Sequence, residues 1–163
     1  MADVVSSSSA RFDKKFAVYK PNKMGQGSAV QFDFNLEKKC VFAEVAKQKP
    51  PTPQDQNAVF DWGAKLTIKL NVTDMAKLLV VLNGRAPTIE LFHDPNKSKF
   101  VTEHDTKNTT ASITKGATSG YFFKVSQQAT TGAVTSVQVI VSEDEAIVLK
   151  LLLEEAIRKS YAW

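Results

Sequence analysis

Along this chain, apolar and polar residues mostly alternate with a period of two, and only two stretches switch to a helical period. Phe16 to Lys20 (FAVYK) is a first candidate strand. Ser28 to Phe34 (SAVQFDF) sets Val30, Phe32 and Phe34 on one face and Ala29, Gln31 and Asp33 on the other, as a half-buried strand does. Cys40 to Ala46 (CVFAEVA) follows as a third. Lys65 to Asn71 (KLTIKLN) alternates again, with Leu66, Ile68 and Leu70 opposite Lys65, Thr67 and Lys69. Thr73 then reads as an N-cap, with Asp74 in the first turn of a short apolar helix, MAKLLVVL. Asn83-Gly84 ends it, because both residues tolerate a left-handed backbone. Thr88 to Phe92 is the next strand, and Asp94-Pro95-Asn96 is turn chemistry. Thr109 to Lys115 and Tyr121 to Gln127 form a hairpin closed through Gly116 and Gly120, and Val134 to Val141 is the last strand. Ser142-Glu143-Asp144-Glu145 is a capping box that opens a final helix. Its apolar positions, Ile147, Val148, Leu151, Leu152, Ala156 and Ile157, form a stripe that Leu149 and Leu153 widen. So broad a stripe calls for two partners, the helix's own sheet and a second subunit.

The order is therefore about four strands and a helix, twice over, without residue-by-residue repetition. Strand runs closed by helices predict an α+β fold with antiparallel sheets. Pro21 to Gly27 is a loop, and Lys47 to Asn57 is a longer one, because Pro50, Pro51 and Pro53 remove backbone donors and fix φ. Residues 1–14 read as a flexible N-terminal tail and 15–163 as a single domain.

Composition narrows the class. A chain of 163 residues with 43% hydrophobic and 23% charged content is ordinary for one globular domain. The N-terminus has no apolar core of a secretory signal, and the single cysteine, Cys40, rules out an internal disulfide framework. The expectation is a cytoplasmic or nucleoid-associated protein, organellar only if a transit peptide has been removed. The net charge of +4 is unevenly spread: residues 1–141 carry +6 and residues 142–163 carry −2. A basic strand-rich body favours polyanionic partners, although many basic domains bind none.

The sequence carries no recognisable signature of catalytic or metal chemistry. His93 and His104 are the only histidines and are too far apart for a metal pair, with no HExxH or CxxC. There is no phosphate-binding glycine loop or nucleophile elbow, and the carboxylates are scattered among basic residues. The reading is a protein that is not an enzyme and uses no cofactor. What remains is lysine and aromatic residues on sheets, the combination that tracks a phosphate backbone and stacks bases at about 1–3 kcal/mol each. The candidate cations are Lys20, Lys23, Lys65, Lys69, Lys97 and Lys99; the candidate rings are Tyr19, Phe32, Phe34, Trp62 and Tyr121. Phe32 and Phe34 share a strand face with Val30, which favours core packing for both.

Three segments carry a family resemblance. Phe60-Asp61-Trp62, KLTIKLNVTDMAKLL and FHDPNK (Phe92 to Lys97) together resemble the Whirly family, single-stranded DNA-binding proteins of plant organelles with relatives elsewhere. The resemblance covers most of residues 16–161. It implies two four-stranded antiparallel sheets packed crosswise, each followed by a helix, and a homotetramer held by the C-terminal helices through Ile147, Leu151 and Leu152. It also implies binding of single-stranded DNA with little sequence preference, in replication, repair, recombination or transcription. The family's YKGKA-like motif corresponds to Tyr19-Lys20 and, after a longer loop, Lys23. Two alternatives stay open: RNA binding or annealing on the same fold, and a protein-interaction domain that binds no nucleic acid.

Overall fold

The structure, a computed structural model, describes residues 14–94 and 106–163. Residues 1–13 of the expected N-terminal tail and the candidates Lys97 and Lys99 fall outside these. Strands β1 (Phe16–Lys20), β2 (Ser28–Asn35), β3 (Cys40–Lys47) and β4 (Leu66–Leu70) form one antiparallel sheet in chain order. Helix α1 (Val72–Leu82) follows. Strands β5 (Thr88–His93), β6 (Thr106–Lys115), β7 (Tyr121–Ala129) and β8 (Val134–Val141) form the second antiparallel sheet, followed by α2 (Glu143–Tyr161).

Alternation decides which residues lie between the sheets. Val18, Val30, Phe32, Val45, Ile68 and Leu70 point inward from the first sheet; Leu91, Ile113, Phe123, Val125, Val139 and Val141 do so from the second. Phe32 and Phe123 meet at the centre, ring centroids 5.5 Å apart. Strand β8 packs against β1, β2 and β3, so the two sheets cross rather than align. Met75, Leu78 and Val81 of α1, and Ala146, Leu149, Leu153 and Ala156 of α2, complete the core, and the helices touch each other.

Helix α1 starts earlier than the sequence suggests. Its N-cap is Asn71, not Thr73: the Asn71 Oδ1 accepts from the Asp74 N–H at 2.9 Å, and the Asn71 N–H donates to the Asp74 carboxylate at 3.1 Å. The expected end is found: Asn83 is the C-cap and Gly84 takes the positive φ that a Cβ would penalise. Strand β6 runs three residues further toward the N-terminus than the alternation of Thr109–Lys115 indicates, through an irregular register between Thr106 and Asn108.

Candidate nucleic-acid interface

The side of the first sheet turned away from the core carries the other half of the alternation. Tyr19 on β1 neighbours Ala29 on β2, which neighbours Ala46 on β3. Both alanines are fully buried although they lie on the outer face. On this face the Tyr19 ring meets that of Phe60, centroids 5.6 Å apart. Phe60 reaches this place because Val59–Asp61 runs antiparallel to Lys47–Lys49: Lys49 donates to the Val59 carbonyl and Asp61 to the Lys47 carbonyl, each at 2.8 Å. Trp62 then opens a single 3-10 turn, Trp62–Ala64, that leads into β4. Tyr19, Phe60 and Trp62, with Pro21 and Asn57 to Val59, line an open concavity of about 560 Å³. Tyr19 is 54% exposed, and Phe60 and Trp62 are half-buried.

One buried amide fixes the loop beside this concavity. Gln48 Oε1 accepts from the Asn22 and Gly27 N–H groups at 2.9 and 3.1 Å, while its Nε2 donates to the Asn22 carbonyl at 3.1 Å. A Cβ on Gly27 would lie 2.2 Å from the Lys20 carbonyl, so only glycine fits there. Gly25, at φ +72°, is pressed against Pro50 and Pro51 of the proline loop. Lys23 and Lys49 thereby edge a second recess that shares Pro21, Asn57, Ala58 and Val59 with the aromatic one.

Further along the same face, charge replaces aromatics. Glu44 on β3 is buried, accepts from Gln31 at 3.1 Å, and pairs with Lys65 and, at 3.9 Å, with Lys15. Burial opposes its charge, but Lys65 and Gln31 outweigh it and hold the carboxyl below its ordinary value. One row on, Lys69 lies opposite Phe42, and Lys38 sits 5.5 Å over the Phe42 ring. Successive rows are about 6.8 Å apart along the strands, and cations accompany the polar and aromatic side chains throughout. Lys20, one residue after Tyr19, faces the opposite way and pairs at 2.6 Å with Glu145 in the first turn of α2.

The family scan gives a direct match: the profile described as Whirly transcription factor fits residues 26–152. The chain belongs to the Whirly family. It shares that family's nucleic-acid-binding fold, and solved structures agree on the architecture. WHY3 from Arabidopsis thaliana superposes with a TM-score of 0.70 at 22% identity, covering 95% of this chain and 92% of that one. The plant transcriptional regulator PBF-2 gives 0.66 at 21%, covering 91% and 82%. A guideRNA-binding protein complex bound to a gRNA gives 0.66 at 17%, covering 94% and 96%. No curated protein matches the sequence significantly.

On this Whirly fold the candidate residues separate into groups. Tyr19, Trp62 and Lys23 gather around the two joined recesses, and Lys65 and Lys69 follow along the same sheet face. Lys20 is turned toward α2. Phe32 is core, and Tyr121, read as a candidate ring, is only 5% exposed on the inward face of β7, which corrects that reading. Phe34 lines a different feature, an apolar groove of about 330 Å³ with Phe16, Leu36, Val41, Leu149 and Leu152. Phe60 was missed as a ring in its own right, although it begins the FDW triplet. On the second sheet's outer face, Phe92, Phe122 and Ile140 are exposed among hydroxyls, with Thr88 and Thr114 bonded at 2.8 Å. Ile147, Leu151 and Leu152 form an exposed apolar row on α2, at 61%, 58% and 47%. Among the described residues there is no cluster of groups able to hold a metal, and no helix is long and apolar enough to cross a membrane.

Proposed function

We propose that this Whirly-family chain binds single-stranded nucleic acid, DNA in the first place, with little sequence preference. The observation that carries the reading is the open aromatic concavity of Tyr19, Phe60 and Trp62, edged by Lys23 and Lys49 and continued by Lys65 and Lys69. Rings accept any base face, and lysines accept any phosphate, so such a surface selects strandedness over sequence. Its alignment over one sheet face suits an extended strand better than a stiff duplex. In a cell the activity would serve genome maintenance or transcription.

Fluorescence anisotropy with labelled single-stranded DNA, duplex DNA and RNA, over a salt series, tests this. Single-stranded DNA is expected to bind most tightly, with affinity falling steadily as salt rises. Equal or tighter binding of RNA would move the function to RNA, the reading favoured by likeness to the guideRNA-binding protein complex bound to a gRNA. Absence of binding at low salt would remove nucleic acid altogether.

The exposed row Ile147, Leu151 and Leu152 is the contact through which copies assemble in this reading, as a homotetramer. A continuous apolar helix face next to an apolar groove is costly to leave in water. Leu152→Asp would bury a charge in that contact, and light scattering is expected to show its mass falling to that of a smaller species. An unchanged mass would take this face out of the assembly.

A further inference from the structure

Two of the cations offered to a strand already have an internal anion. Lys65 is held by Glu44, which lies on the same sheet face. Lys20 is held by a residue from the far end of the chain, Glu145, and this pair has unusual geometry. A single carboxylate oxygen, Glu145 Oε1, accepts from the Ser142 N–H at 2.9 Å and the Lys20 ammonium at 2.6 Å, and lies 2.6 Å from the Ser142 hydroxyl, whose one proton it shares with Asp144 Oδ1 at 2.5 Å. The first of these closes the capping box of α2 and needs no charge on the acid, since glutamine serves there as well. The Lys20 bond is the one that uses the charge.

Lys20 is also placed to exchange partners. Its side chain is 34% exposed, and its backbone is pinned by the close approach of Gly27 to its carbonyl. Tyr19, its immediate neighbour, forms the wall of the aromatic concavity. Tyr19 and Lys20 lie on opposite faces of β1, but β1 is the edge of its sheet, so a strand that stacks a base on Tyr19 and passes over this edge would bring a phosphate to the side on which the flexible stem of Lys20 can swing its ammonium. Glu145 occupies the ammonium in the absence of such a phosphate.

We infer that Glu145 is an internal competitor for Lys20, so that strand binding displaces a Lys20–Glu145 pair and Glu145 sets the affinity of the site. The inference rests on the strand-binding reading above. Lys20 then contributes less to affinity than an unpaired lysine would, because part of its attraction for phosphate replaces its attraction for Glu145. The displaced carboxylate keeps its hydrogen bond from the Ser142 N–H, so α2 stays capped while the strand is bound.

The test is a two-by-two set of full-length variants, wild type, Glu145→Gln, Lys20→Ala and the double variant, with labelled oligo-dT in a salt series. Circular dichroism checks that the capped helix persists. Glu145→Gln is expected to bind about two- to fivefold more tightly, the range that half-exposed ion pairs span. Its logarithmic salt slope is expected to stay close to that of the wild type, because Lys20 meets a phosphate in both complexes, whereas Lys20→Ala is expected to flatten it by up to about 0.7, one phosphate contact on a single strand. In the Lys20→Ala background the same change is expected to do nothing. Glu154→Gln, on α2 without a lysine partner among the described residues, reports the effect of a lost negative charge alone. Wild-type binding that Glu145→Gln leaves unchanged would overturn the inference while the binding function stands. An equal gain in the Lys20→Ala background, or from Glu154→Gln, would overturn it too, as a bulk charge effect. No binding by wild type would overturn the function and the inference together.

Discussion

Both helices begin in the same way, and the two beginnings differ in one respect. Each opens with a capping box: Asn71 with Asp74 for α1, Ser142 with Glu145 for α2. In each, the acid is also gripped by a basic side chain from the opposite sheet. His93 of β5 reaches Asp74 at 3.0 Å, and Lys20 of β1 reaches Glu145 at 2.6 Å. The first helix is tied to the second sheet and the second helix to the first, so these two pairs cross-link the halves of the fold. The acids differ in burial: the Asp74 side chain is 9% exposed and Glu145 23%. A buried acid that loses its partner has no water to replace it; a more open one does. The His93–Asp74 pair is thereby a structural tie, whereas the Lys20–Glu145 pair is exchangeable.

The largest expected effect would break that comparison most directly. Asp74→Ala removes the acceptor of the Asn71 N–H and the partner of His93 from a buried position. A lost cap and a stranded donor together are expected to cost about 2–3 kcal/mol. Glu145→Ala, at the more open box, is expected to cost about 1 kcal/mol. Urea unfolding of the two variants measures the difference, and equal losses would show that burial does not distinguish the two ends.

A smaller effect comes with acid. Burial opposes ionisation of Asp74, but the hydrogen bonds from His93 and Asn71 outweigh it and hold the carboxyl below its ordinary 3.8. Glu145 is likewise held below its ordinary 4.5, against burial, by Lys20 and Ser142. In the unfolded chain both return to ordinary values. Each therefore contributes stability that is fully present above its ordinary value and is lost as pH falls through the lower, folded one. Unfolding midpoints measured from about pH 6 to about pH 3 are expected to fall with acid. Asp74→Asn should flatten that fall more than Glu145→Gln does. A steeper fall in either variant would reverse the sign of the argument.

How much of this was legible in the sequence follows from the range of each interaction. Strand alternation is local, so β8 was read at its observed limits, and Val30 and Phe32 were assigned to the core. The α2 capping box was read because serine and glutamate stand three apart. The α1 box has the same spacing in Asn71 and Asp74, but Thr73 is an equally good cap residue and drew the assignment. Tyr121 could have been placed inside from its alternation with Phe123 and Val125. The aromatic concavity was only half legible: Tyr19 and Trp62 stand out as ring residues beside loops, but Phe60 joins them through pairing of Val59–Asp61 with Lys47–Lys49, which no periodicity reveals. The two cross-linking pairs were illegible, because each joins residues whose proximity exists only after the sheets have crossed. Lys20 accordingly read only as a candidate phosphate contact, whereas its strand position turns it toward Glu145 of α2.

The smallest effect sharpens the comparison most. Lys20→Met keeps the apolar stem of the side chain and removes the ammonium. The Glu145 carboxylate retains the Ser142 N–H and access to water, so stability is expected to change by no more than about 0.5 kcal/mol. His93→Ala, at the other tie, leaves the Asp74 carboxylate buried with one donor fewer, and about 1–2 kcal/mol is expected. Thermal or urea denaturation distinguishes the two outcomes. A Lys20→Met variant as destabilised as His93→Ala would make both pairs structural, and a lysine fixed in that way could not be surrendered to a phosphate. A near-neutral Lys20→Met that also binds single strands more weakly would mark this lysine as held for the ligand, because the fold would then have little use for its charge.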